Sequence, residues 1–219
     1  MIAVIIQARM GSSRLPGKIM KNICGQPVLW HVAIRCLTAK KVDKVIVATT
    51  TNPEDDVVEN FCRENNFLCY RGSADNVLER YYEAAKKYGI EVIARINSDC
   101  PLVDPEIIDG CLGAFLKRKC DYLSNTSITC RSLPRGIDDI DVFSFKALET
   151  AKKNANENYE KEHVAPYIYE NKNQEFVLVK GLGFKNNYAR SYRLTVDYPE
   201  DFEVVEKIYN ALYDSRKLM

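Results

Sequence analysis

The sequence predicts an α/β fold built as three layers, a mainly parallel sheet with helices on both faces. Two observations predict it. Short apolar runs rich in β-branched residues, such as "IAVIIQ" and "DKVIVAT", have the continuous character of strands buried on both sides. Up to about residue 125 these runs alternate with stretches of helical spacing, and strand–helix alternation implies parallel strands joined by crossovers. Unit lengths are too uneven for a repeat array.

Taken in order, residues 2–7 form the first strand. Residues 27–37 place Val28, Leu29, Val32, Ala33, Cys36 and Leu37 at helical spacing. A second strand covers 43–49. The next helix opens at Asn52, a suitable N-cap, with Pro53 at its first position. Residues 67–70 are a short strand, and 74–89 a helix that stops at Gly89. Residues 91–99 form a strand with a polar exit. Asp104 and Pro105 repeat the cap-and-proline device for a helix over 104–118, and 121–125 is a short strand. Residues 126–188 break the rhythm: a loop leads to a strand, then come helices over 146–156 and 157–172 and a strand over 175–182. We read this segment as an excursion from one domain spanning 1–219, carrying an acceptor pocket, a dimer contact or both. The sheet is expected to resume at 192–196, before a last helix over 199–213.

Composition limits the function classes. Lys plus Arg number 31 and Asp plus Glu 30, so no global charge favours nucleic acid or membrane, and any positive site must be local. Eight cysteines without C-x-x-C spacing, beside two histidines, argue for core thiols in a reducing compartment rather than a zinc site or disulfide framework. The six-residue apolar start is too short for a signal peptide or span. The expectation is a cytoplasmic protein with no membrane or nucleic-acid partner.

Open parallel sheets bind ligands beyond the carboxyl ends of their strands. After the first strand comes "QARMGSSRLPGK". It is not a P-loop: five residues separate Gly11 and Gly17 where four are required, and Ile19 follows Lys18 in place of a hydroxyl. As a solvated turn it would need nothing further. As a phosphate cradle it would use the N–H groups of residues 10–13 with Arg9, Arg14 and Lys18, beside Gln7, Ala8, Gly11, Ser12 and Ser13. Arg71, Gly72 and Ser73 follow the third strand. Asn97, Ser98 and Asp99 follow the fourth, and Asp197 follows the late one. Three basic residues and two carboxylates converging on one edge suit a polyphosphate with a divalent cation. Asp99 sits five residues before the cap at Asp104, which favours metal ligation over capping. Asp197 in "DYPE" fits an N-cap with Glu200 three residues on as well as it fits a metal ligand. Asp201 fits a structural place in the first helical turn. His31 is core-like and His163 more often structural than a substrate contact. The acidic "PRGIDDID", with Asp138, Asp139 and Asp141, is a solvated loop or a pocket for substrate hydroxyl or amino groups.

These residues carry a resemblance. "VIIQARMGSSRLPGK", "YRGSADNVLERYYEAAKKYG", "ARINSDCPLVDPEIID", "LPRGID", "DVFSFKALE", "KEHVAPYIY" and "YRLTVDYPEDFEVV" resemble, in order and over nearly the whole chain, the spore coat polysaccharide biosynthesis protein F family. That family lies within the cytidylyltransferases similar to the synthetases of CMP-linked ketodeoxyoctonate and acylneuraminate. The resemblance implies a Rossmann-like nucleotide-diphospho-sugar transferase fold with a seven-stranded mixed sheet, CTP as donor, Mg²⁺ as cofactor and a homodimer. It implies Ala8 and Arg9 by the nucleotide, Arg14 and Lys18 on its phosphates, and Arg71, Asp75 and Asn76 near the base. Asp99 and Asp197 would be the metal ligands. The implied reaction transfers CMP to a sugar acid or related acceptor and releases pyrophosphate. Where the family commonly has "GLDVEVF", this chain has "GIDDIDVF", one residue longer, with Asp141 at a glutamate-like position. Another nucleotide, a sugar-phosphate acceptor, or a non-catalytic nucleotide-binding subunit are the competing readings.

Overall fold

The computed structural model describes residues 1–125, 133–180 and 192–214. Strand β1 (Ile2–Gln7) sends Val4 and Ile6 into one core and Ala3 and Ile5 into another, which is why its sequence is apolar without alternation. A small hairpin follows, β2 (Asn22–Ile23) with β3 (Gln26–Pro27). Next come α1 (Val28–Thr38), β4 (Lys44–Thr50), α2 (Asp56–Glu64), β5 (Leu68–Gly72), α3 (Val77–Tyr88) and β6 (Val92–Asn97). Then come α4 (Pro105–Arg118), β7 (Tyr122–Ser124), β8 (Asp141–Ser144), α5 (Phe145–Asn154), α6 (Asn158–His163), α7 (Pro166–Glu170), β9 (Leu178–Lys180) and α8 (Pro199–Leu212).

The main sheet has the order β5-β4-β1-β6-β8-β7-β9. Strand β8 runs antiparallel to both neighbours, and every other pairing is parallel. Helices α1, α2 and α4 cover one face, and α3, α5 and α7 the other. The last helix packs Val205 and Tyr209 against Ile23 and Val28 in a third, smaller core. From β1 the chain moves outward through β4 and β5, then returns through α3 to β6 on the other side of β1. The strand order therefore reverses between β1 and β6, where an open α/β sheet leaves a crevice at its carboxyl edge.

Several boundaries differ from the sequence reading. Asn52 makes no side-chain cap; Pro53–Asp55 forms a 3₁₀ turn and α2 begins at Asp56. Asp104 does cap α4, accepting from the N–H groups of Glu106 and Ile107, and Gly89 ends α3 at φ 65°. The helix expected over 157–172 is two helices, broken where Val164 takes φ 69°, a conformation costly for a β-branched residue. The expected strand at 192–196 is reduced to a single bridge between Arg135 and Arg193. Strands β8 and β9, both inside the 126–188 segment, join the main sheet. Of the expected 175–182 strand, residues 178–180 form β9, and residues 181 and 182 lie outside the described ones. The seven described cysteines are free thiols, five of them buried; Cys130 lies outside the described residues. No described helix is long and apolar enough to cross a membrane.

Candidate functional site

The loop after β1 folds back on itself. The Met10 carbonyl accepts from the N–H groups of Ser12 (2.9 Å) and Gly17 (3.2 Å), and the Met10 N–H donates to Asp55 Oδ1 at 2.7 Å. Gly17 sits at φ 66°, which a side chain would strain, and starts the 3₁₀ turn that carries Lys18. Within residues 10–13, the N–H groups of Met10 and Ser12 are thus spent internally. Those of Gly11 and Ser13 make no hydrogen bond among the described residues.

Lys18 projects toward two carboxylates. Its Nζ donates to Asp99 Oδ2 at 2.9 Å and to Asp197 Oδ1 at 3.0 Å, and Arg14 reaches the same Asp197 oxygen at 2.6 Å. A backbone bond from the Val196 N–H to the Asp99 carbonyl (2.8 Å) sets the two acidic segments side by side. Asp197 is not the cap of α8. Tyr198 occupies that position, because Pro199 is the first helical residue, and Asp201 accepts from the N–H groups of both Asp197 and Tyr198. Arg193 grips both oxygens of Asp201 (2.8 and 2.7 Å), so the Asp197 carboxylate stays turned toward the cations. Burial alone would push the Asp197 carboxyl up. The hydrogen bond and charge of Lys18, with Arg14 and Arg193, outweigh it and hold the group below its ordinary value.

A cleft of about 510 Å³ opens over this cluster. It brings together Gln7, Ala8, Arg9, Gly11, Ser12, Ser13, Arg14, Lys18, Asn97, Ser98, Asp99 and Asp197. His163 and Glu162 of the α6 end also reach it. Asn97 Oδ1 is buried there without a hydrogen-bond partner among the described residues, an acceptor open to a ligand donor. Asp75 and Asn76 lie apart, in an adjoining hollow shared with Arg9, and Asn76 Oδ1 caps α3 by accepting from the Glu79 N–H. Arg71 does not line the cleft. Its guanidinium is held by Asp56 (2.6 Å), Glu59 (2.9 Å) and the carbonyls of Thr50 and Asn52. His31 is buried against Trp30 and Tyr209, with Nε2 on the Ile23 carbonyl.

The donor set fits a hydrated divalent cation. Two hard carboxylate oxygens that share one ammonium nitrogen are close enough to share a cation. Mg²⁺ binds through one or two carboxylates, with phosphate oxygens and water completing its shell. Among the described residues no group of three or more His, Cys, Asp or Glu side chains forms an all-protein cage, so the nucleotide itself would have to contribute ligands.

The family model described as "Cytidylyltransferase" matches residues 3–218. The chain belongs to the cytidylyltransferase family. It is 40% identical to an uncharacterised protein of Methanocaldococcus jannaschii, over 96% of this chain and 88% of that one. It is 32% identical to the spore coat polysaccharide biosynthesis protein SpsF of Bacillus subtilis, over 95% and 86%. A cytidylyltransferase from Leptospira borgpetersenii superposes with a TM-score of 0.89 at 33% identity, covering 97% of this chain and 88% of that one. A CMP:2-keto-3-deoxy-manno-octonic acid synthetase complexed with CTP shares the fold at a TM-score of 0.72 and 17% identity, over 96% and 98%.

This cytidylyltransferase also carries site residues that the sequence reading passed over. Asp55 is fully buried and ties the β1 loop to Thr50, whose hydroxyl it also holds. Arg80 lines the cleft from α3 while 2% exposed; burial pushes its guanidinium down from the ordinary value. Its signal was present, a charge on the apolar stripe formed with Val77, Tyr81 and Ala84. A second hollow of about 210 Å³ lies across Asp99 and Asp197, lined by Arg95, Asn97, Arg135, Asp139, Asp141 and Thr195. Arg95 and the Tyr122 hydroxyl share Asp141 there (3.1 and 2.7 Å), and Asp139 Oδ2 accepts from the Gly136 N–H. Gly136 (φ 99°) is required, since a Cβ would lie 2.7 Å from the Leu194 carbonyl carbon. Asp138, in the same loop, is fully buried.

Proposed function

We propose that the protein transfers CMP from CTP to a sugar acid or related acceptor and releases pyrophosphate, in the assembly of a surface polysaccharide. The observation that carries the reading is the Lys18 ammonium shared by Asp99 and Asp197 beside a loop with open N–H groups. Arg14, Lys18 and the Gly11 and Ser13 N–H groups would hold the β- and γ-phosphates, turning binding energy into position and charge neutralisation. Asp99 and Asp197 would hold Mg²⁺, which when bound offsets the charge of the α-phosphate. The acceptor would lie in the hollow lined by Arg95, Arg135 and Asp139, which the two carboxylates also line. Its hydroxyl oxygen forms a bond to the α-phosphorus, the bond to the bridging oxygen breaks, pyrophosphate leaves, and the hydroxyl proton passes to solvent. The SpsF relative supports the polysaccharide setting.

The test is pyrophosphate release with CTP, Mg²⁺ and a panel of 3-deoxy sugar acids and sugar phosphates. Release with a sugar acid is expected. Absence of release with every acceptor, together with no CTP-dependent thermal shift, would remove the reading; release only with a sugar phosphate or another nucleotide would redirect it.

A further inference from the structure

We propose that Asp55 is a positioning residue of the site: by holding the Met10 peptide it keeps the Gly11 and Ser13 N–H groups free at the cleft for the β- and γ-phosphates. This deepens the transfer reading above and rests on it. Asp55 is 0% exposed and, among the described residues, forms no ion pair with a Lys or Arg. Its Oδ1 accepts from the Met10 N–H at 2.7 Å, and its Oδ2 accepts from the Thr50 hydroxyl. A buried carboxyl held by one amide and one hydroxyl is costly, and a turn that only closed the chain would not need it.

The loop has little else to hold it. Among the described residues, the bond from Met10 to Asp55 is the one hydrogen bond that joins the backbone of residues 9–17 to another element. The other backbone bonds are local, and two of them converge on the same residue, whose carbonyl accepts from the Ser12 and Gly17 N–H groups. The peptide planes on both sides of the Met10 Cα are therefore fixed, one by Asp55 and one by the loop. In a planar trans peptide the C=O and N–H point in opposite directions. With the Met10 carbonyl turned into the loop, the Gly11 N–H of the same peptide is turned out of it. Gly11, Ser12 and Ser13 all line the cleft.

Asp55 is itself well anchored. Its N–H donates to the Asn52 carbonyl at 3.0 Å, and the Thr50 hydroxyl that it holds accepts from the Asn52 N–H at 3.1 Å. Thr50 ends β4, the strand paired with β1. The support thus runs from the sheet through the 3₁₀ turn to the loop. The same turn backs the next residue closely, since a Cβ at position 11 would lie 3.0 Å from Glu54 Oε1. A negative group behind a phosphate site opposes the ligand, so charge is not what Asp55 contributes. A side chain with the same acceptor and no charge should serve as well.

Isothermal titration of the full chain with CTP and with CMP, both with Mg²⁺, tests this, because CMP lacks the β- and γ-phosphates. The wild type should prefer CTP. In Asp55→Ala the Met10 peptide is released, and CTP affinity should fall roughly 10- to 100-fold, the worth of a hydrogen bond to a charged group, while CMP affinity stays within about threefold. The CTP:CMP ratio does not depend on the fraction of protein folded, so a merely structural role would leave it unmoved. Asp55→Asn keeps an acceptor for the Met10 N–H and should return CTP affinity to within about threefold of wild type. An unchanged ratio in Asp55→Ala, or an Asp55→Asn as weak as Asp55→Ala, would overturn the proposal. Amide hydrogen exchange of the unmutated protein, followed by NMR, does not depend on any variant folding. The Met10 amide should exchange slowly in the free protein, and the Gly11 and Ser13 amides fast until CTP binds. A Met10 amide that exchanges as fast as that of Gly11 would overturn the proposal. No preference for CTP in the wild type would remove the phosphate cradle and the role of Asp55 with it. The expected ratios without pyrophosphate release would keep Asp55 as the positioning residue and remove the transfer reading. Turnover with an unaltered CTP:CMP ratio in Asp55→Ala would do the reverse.

Discussion

The two ends of the cleft handle charge differently. At one end Lys18 touches two carboxylates at 2.9 and 3.0 Å, and Arg14 touches one of them at 2.6 Å. At the other, Arg80 is buried against a single carbonyl. On the proposed reading, a ligand arriving at the first end would exchange existing ion pairs, with phosphate taking the cations and a divalent cation the carboxylates. A ligand at the second end meets a donor already in place. The paired end is thus organised before binding by its own counter-charges, and the unpaired end by packing, with Gly72 and α3 holding the arginine.

Breaking the paired end should have the largest effect. Asp99→Asn removes one carboxylate and should lower turnover by about 10³-fold or more, since metal-assisted charge stabilisation contributes several kcal/mol. Steady-state pyrophosphate release checks this. Next in size is the tether of the β1 loop to Thr50. Asp55→Ala leaves the Met10 N–H and the Thr50 hydroxyl without their shared acceptor and should cost about 1–3 kcal/mol of stability, read by denaturant unfolding. Removing the Asn76 cap of α3 is smaller. Asn76→Ala should lose about 1 kcal/mol by the same measurement and loosen the helix that carries Arg80.

The smallest effect is a pH dependence at the paired end. Asp197 is held below its ordinary value in the folded protein, so its ion pairs contribute stability fully above the unfolded value, near 3.9. That contribution fades as pH falls through the lower folded value. The stability gap between wild type and Asp197→Asn should therefore be present at pH 7 and shrink below about pH 4; a gap independent of pH would contradict the ion-pair assignment.

The paired end was legible in sequence because its parts follow strands. The loop after β1, Asp99 after β6, and the glycines and lysine all sit where a buried strand gives way to polar residues. The unpaired end was not, because Arg80 sits within a helix whose other cleft-facing residue is apolar, and only its burial without a counter-charge marks it. Arg71 shows the opposite error. It was expected just after a strand, but β5 runs on through it to Gly72, and Asp56 and Glu59 of the neighbouring helix hold it away from the cleft. The nine strands and helices from β1 to β7, the small β2–β3 hairpin aside, were readable from periodicity. The insertion of β8 between β6 and β7 was not, since a four-residue strand carries no mark of its partner or direction. At Asp197 the cap and ligand readings stood equal until Pro199 fixed Tyr198 as the cap and Asp201 took the capping role.

The central claim is that Asp99 and Asp197 give up Lys18 to hold a divalent cation against bound CTP. The most direct measurement is single-turnover pyrophosphate release from CTP with Mg²⁺ and a 3-deoxy sugar acid, run on wild type and Asp99→Asn alongside their CTP dissociation constants. Release by the wild type, a loss of about 10³-fold in the variant and a CTP affinity changed by less than about tenfold are predicted. A variant that releases pyrophosphate at the wild-type rate would contradict the account.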